Sequence, residues 1–173
     1  ARGGGNGRPV LAGFLPDRVH FLQKDPRWAR DTLGDTGDTI ARYGCVVTSV
    51  AIALANLGFD TDPGDLNRRL SETDNYTPRG WLKWKGVGEV TNGKAEATFH
   101  SEVNAGLIRD SLAAGEYPLV RFILPNGRSH WAVILGQSER GYHMRDPLRD
   151  TNSPLIFPRD ASAFKALRTI GLA

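Results

Sequence analysis

The sequence predicts an α+β fold, with helices gathered toward the front and an antiparallel sheet behind them. Two observations carry that expectation. Val47, Val50, Ala51, Leu54 and Leu57 recur at helical spacing after Cys45, and Gly58 supplies a stop. Further on, the apolar runs YPLVRFIL and SHWAVILGQ flank the turn signal PNGR, the pattern of a β-hairpin.

The elements follow in chain order. Gly3, Gly4, Gly5, Asn6 and Gly7 mark residues 1–17 as a flexible N-terminal segment, and residues 18–173 form a single domain. RVHFLQ (18–23) reads as a short strand, and the turn-rich KDPRWARDTLGDTGDT as a loop. After the helix from Cys45, DTDPGDLNRRL predicts a second helix, with Asp62 as its cap and Pro63 in its first turn. Trp81 and Trp84 are expected to pack a small helix. VNAGLIRDSLAAG is an amphipathic helix closed by Gly115. YPLVRFIL and SHWAVILGQ are paired strands, GYHMRDP is a third and PLIFP a fourth, and RDASAFKALRTI predicts a closing helix.

Composition narrows the function classes. A chain of 173 residues is long enough for one domain with a sizeable core, and 40% hydrophobic with 24% charged residues is ordinary for a globular protein. Net charge is +3, with Lys and Arg scattered among Asp and Glu, so no basic stripe points to nucleic acid. A single cysteine excludes an internal disulfide framework and any multi-cysteine zinc site. No apolar run reaches the ~20 residues that span a membrane. The chain starts without methionine and reads as a mature form or as a domain of a larger protein; a secreted or cell-envelope location is the expectation.

Cys45 sits where a helix begins, after a glycine that permits a sharp entry. Unpaired N–H groups and the positive end of the helix dipole favour a thiolate there. On position alone, a small buried hydrophobe and a reactive thiol both fit. A reactive thiol needs an imidazole, usually oriented by a carboxylate or amide. His130 opens an apolar strand, and Asp146 ends the next one before Pro147. Taken singly, these read as a surface polar residue and a turn former. Asp60, Asp62 and Asp65 resemble a calcium loop, but Pro63 breaks that pattern and capping explains Asp62. GVGEVTNGK lacks the strand and helix that a phosphate cradle needs.

Gln23, Asp25-Pro26-Arg27-Trp28, Gly44-Cys45, Thr48-Ser49, His130-Trp131 and Asp146-Pro147 occur in this order. The set resembles the double-glycine-peptidase-like (bacteriocin-processing-peptidase-like) family of bacterial cysteine peptidases, which have a papain-like fold, over residues 19–148. The resemblance implies Cys45 as nucleophile, His130 as general base and then acid, and Asp146 as the group orienting His130. It also implies an oxyanion hole built from Gln23 and the Cys45 backbone N–H. Trp131, Trp81 and Val46 become candidate substrate-binding residues. One departure is local: the family commonly has Gly-Pro after the cysteine, whereas Val46-Val47 stand here.

The expected activity is hydrolysis of a peptide or peptide-like amide bond through an acyl-thioester, by a monomer that uses no cofactor and no metal. Its partner is a peptide or peptidoglycan-peptide substrate. Alternatives are acyl transfer or cell-wall peptide cleavage by the same machinery, and an inert binding module on the same fold. Strand periodicity adds a geometric expectation. A regular two-residue hairpin at Glu139 and Arg140 would put Asp146 on the face away from His130. The pair therefore requires an odd-numbered loop or a one-residue bulge between the two strands.

Overall fold

The computed structural model describes residues 10–173, and for residues 10–12 the backbone alone. The glycine run at 3–7 lies outside the described residues. In chain order the elements are β1 (Val10–Ala12), α1 (Ile40–Tyr43), α2 (Cys45–Asn56), α3 (Pro63–Glu72), α4 (Gly86–Val90), β2 (Ala95–His100) and α5 (Ala105–Ala113). There follow β3 (Tyr117–Ile123), β4 (Ser129–Ser138), β5 (Gly141–Arg145), β6 (Leu155–Phe157), a 3₁₀ turn at Ala161–Ala163, and β7 (Ala166–Leu172). The strands form one antiparallel sheet in the order β2-β7-β3-β4-β5-β6, with β1 paired to the far end of β4.

The helix starting at Cys45 is central because almost its whole circumference is apolar or small. Val47 through Leu54 are all buried, as is Asn56. It packs between Leu119, Val133, Leu135 and Ile170 of the sheet on one side and Trp28, Leu66 and Leu70 on the other. α3 forms as its caps direct: the Asp62 carboxylate accepts from the Asp65 amide at 2.8 Å, with Pro63 in the first turn. Asp65 in turn takes Arg68 and Arg69 as ion-pair partners. α5 lays Ile108 and Leu112 against Val120, Phe122, Ala132, Ile134 and Leu167 on the opposite face of the sheet.

Three expectations are corrected. Residues 18–23 are not a strand. The Asn56 side chain at the end of α2 takes their backbone groups, accepting from Arg18 N and Val19 N and donating to Val19 O. The closing segment is not a helix but the 3₁₀ turn followed by β7, which lies inside the sheet. Leu167 and Ile170 are buried on opposite faces of that strand, so its apolar residues lack the alternation of a half-exposed strand and fall at helical spacing instead. The part of the N-terminal segment from residue 10 to 17 is anchored. Leu15 N donates to Leu135 O at 2.9 Å, Tyr117 Oη donates to Pro16 O at 2.7 Å, and Arg145 holds the Asp17 carboxylate with two bonds of 2.9 Å.

That anchoring shapes the β4–β5 hairpin. The turn is the two-residue one, pairing Ser138 with Gly141. The register then shifts between Gly136↔His143 and Ile134↔Met144, leaving Leu135 as the extra residue of a bulge. The carbonyl of Leu135 accepts the Leu15 amide, and a Cβ on Gly136 would come within 2.8 Å of Gly13 O and the Phe14 ring. The bulge thus forms where the N-terminal segment crosses closest. It restores parity, putting Ala132 and Ile134 in one apolar cluster with Tyr142 and Met144.

Candidate active site

The turn between α1 and α2 positions Cys45. Gly44 joins the two helices with φ −90°, so its role is close approach rather than an unusual backbone conformation. A Cβ there would lie 2.6 Å from Ile40 O and 2.7 Å from Ile40 Cγ2, and Ile40 is buried in the core. Gly44→Ala is therefore expected to lower stability by about 1–3 kcal/mol through overpacking. Chemical denaturation checks it, and an unchanged midpoint would show that the junction can shift freely. As the first residue of α2, Cys45 presents one of the N–H groups that a helix leaves without an intrahelical carbonyl.

His130 meets Asp146 as the bulge permits. Its Nε2 donates to Asp146 Oδ1 at 2.6 Å, and that same oxygen accepts Leu148 N at 2.9 Å. A carboxylate only accepts, so the shared hydrogen sits on Nε2 and Nδ1 is the nitrogen left for the thiol. Cys45 lies close enough to His130 to raise the pKa of the ring. The imidazole is 2% exposed and lies edge-to-face with Phe122, its cross-strand partner, with ring centres 5.7 Å apart. Burial is the largest influence on its pKa and pushes it down. The Asp146 hydrogen bond, Cys45 and their charges together outweigh that and raise it to about 9. The raised pKa favours a protonated imidazole at neutral pH, set between the Asp146 carboxylate and the Cys45 sulfur.

Gln23 approaches from the N-terminal loop. Its backbone N donates to Pro147 O at 2.9 Å, which ties it to the residue after Asp146. Its side chain is 3% exposed, and Nε2 donates one hydrogen to Ala41 O at 3.0 Å in α1. The second amide hydrogen is unassigned. Trp28 fixes this loop by donating its indole N–H to Leu22 O at 2.8 Å.

Cys45 opens onto a cleft of about 690 Å³ whose walls include Val46, Trp81, Trp84, Arg121 and Trp131. The three residues expected to touch substrate, Trp131, Trp81 and Val46, all line it. Trp81 does not pack the small helix as expected. It is 64% exposed at the rim, with the Arg79 guanidinium 5.0 Å from its ring centre. Trp84 packs against the core, 5.7 Å from the Trp131 ring. Sequence reasoning passed over Arg121, although a lone arginine within the apolar run YPLVRFIL was the available signal.

No family model matches the chain, and no curated protein matches it. Among solved structures, a Bacillus anthracis protein assigned as a C39-like peptidase is similar over 91% of this chain and 96% of that one. The TM-score is 0.57 at 16% identity. That likeness concerns the fold, and the architecture is the expected α+β papain-like one.

Proposed function

We propose that the chain is a cysteine peptidase that cleaves a peptide amide bond through an acyl-thioester on Cys45. The observation that carries this reading is the Asp146–His130 hydrogen bond with Cys45 beside the ring, at the first residue of a helix and the wall of a cleft. In the first half-reaction the thiol proton already rests on His130 Nδ1, and Sγ adds to the carbonyl carbon. The C–N bond then breaks as the imidazolium returns that proton to the leaving amine. In the second, His130 deprotonates water, the hydroxide adds to the thioester, and Cys45 leaves as thiolate beside the recharged ring. Asp146 holds the ring with Nδ1 toward sulfur and stabilises its charged form. The negative oxygen that forms in both halves meets the Cys45 N–H and the free Gln23 amide hydrogen.

The same machinery serves a peptidoglycan stem peptide as well as a linear one, so the test presents both. Digestion of a peptide library and of a peptidoglycan preparation, read by mass spectrometry, should give new amine termini with the wild-type protein and none with Cys45→Ala. Products that persist in Cys45→Ala, or their absence with both proteins, would sink the reading. Gln23→Ala should lower turnover by about 10²–10³-fold with KM less affected, as for loss of one oxyanion donor. Steady-state kinetics on one cleaved peptide checks this, and unchanged kcat would remove Gln23 from the oxyanion hole while leaving Cys45 and His130 in place.

A further inference from the structure

On one face of the sheet two arginines stand without an acid. Arg121 of β3 lies opposite Trp131 of β4, and Arg168 of β7 lies opposite Phe99 of β2. The β3–β7 register sets Leu119 opposite Arg168 and Arg121 opposite Ala166, so all of these side chains share a face. The Arg168 guanidinium carbon is 4.3 Å from the Phe99 ring centre, 5.5 Å from Trp84 and 5.9 Å from Trp131. Arg121, Trp84 and Trp131 are walls of the cleft that holds Cys45.

The polar contacts of this pair are few. Arg121 Nη1 donates to Ser129 Oγ at 3.2 Å, and Arg168 Nη1 donates to Leu167 O at 2.9 Å. Arg168 Nε is buried without a partner. Among the described residues neither guanidinium has a carboxylate within ion-pair distance. Arg145, which is more deeply buried, shows the ordinary solution: it grips Asp17 with two bonds of 2.9 Å. Burial, and then the neighbouring charge of Arg121, push the Arg168 pKa below the usual arginine value. The aromatic faces hold the Arg168 cation, but burial and the like charge of Arg121 oppose it until an anion joins the pair, and a guanidinium fork suits a carboxylate.

We propose that Arg121 and Arg168 form a carboxylate-binding subsite at the Trp131 end of the cleft, which takes an acidic side chain or the terminal carboxylate of a peptide. The proposal names a substrate class for the peptidase reading and rests on it for the position of the scissile bond. Carboxylate binding can nevertheless be measured without turnover.

The test is calorimetric titration of Cys45→Ala with a hexapeptide library that carries Glu or Gln at each position, each with a free or an amidated C-terminus. About tenfold tighter binding is expected in one arm, the difference between a charge-assisted and a neutral hydrogen bond. The Glu/Gln arm identifies a side-chain carboxylate and the free/amidated arm a terminal one. The ratio should fall toward one in Arg121→Gln and shrink with added salt. Arg168→Gln is the second variant; the comparison between peptides on the Cys45→Ala protein stands even if that variant fails to fold. Equal binding across all arms, or none, overturns the subsite. Acid preference without cleavage by the wild-type protein upholds the subsite and sinks peptide hydrolysis, whereas cleavage without acid preference does the reverse.

Discussion

Cys45→Ala should lower peptide turnover by about 10⁴-fold or more while leaving the fold intact. The size follows from chemistry. Without sulfur no acyl-thioester forms, and only binding and the oxyanion donors remain to assist direct attack by water. The intact fold follows from placement: Cys45 is half-buried at the mouth of α2, and the helix is held by Val47, Val50, Ala51 and Leu54 beyond it. Removing one exposed-side sulfur opens no cavity in that core. Wild-type and variant should therefore share a near-UV circular dichroism spectrum and a melting temperature within a few degrees. Cys45→Ser, which keeps the shape but offers a weaker nucleophile, should be almost as inactive. A Cys45→Ala protein that retains a tenth of the wild-type rate would leave the thiol with no chemical role.

The residues of the candidate site were more legible in the sequence than the path of the chain around them. Chemistry writes itself into residue types: one thiol at a helix start, a histidine at a strand start and an aspartate before proline are each visible as letters. Their meeting depended on a bulge whose cause is not local. Leu135 is extra in the β4–β5 ladder because Leu15, far away in sequence, takes its carbonyl, and Gly136 leaves room for Phe14 to pass. Parity demanded the shift, but no hairpin sequence could say where it would fall.

The misread elements share a physical origin. β7 is covered on both faces, so Leu167 and Ile170 are both core, and alternation disappears. The strand expected at 18–23 fails because its donors and its acceptor go to Asn56 rather than to a neighbouring strand. β2 was not read from AEATFH, an edge strand in which Phe99 is exposed and packs beneath Arg168. In each case the deciding partner lies outside any short window of sequence.

His130→Ala should lower turnover by about 10³–10⁴-fold, because the proton that moves in each half-reaction passes through this one ring. The pH profile distinguishes that role from a structural one. With the His130 pKa raised to about 9, the ring keeps its proton through neutral pH. The charged form is the acid that the leaving amine needs, so wild-type activity should hold across neutrality and fall as pH rises through about 9. Asp146→Asn keeps a hydrogen-bond partner but removes the charge. It weakens the charge-assisted hydrogen bond that is the leading influence raising the pKa, removes the Asp146 charge, and leaves burial, which lowers it, in force. The alkaline limb of kcat/KM should then move to lower pH, with a loss of rate at pH 8 larger than that at pH 6. The same shift carries a stability signature. A group whose pKa is raised on folding stabilises the folded chain below its unfolded value of about 6.5, and that contribution is lost as pH rises toward 9. Wild-type protein should thus lose more stability than Asp146→Asn between those limits. An alkaline limb that stays in place in Asp146→Asn would mean that some group other than His130 supplies the proton.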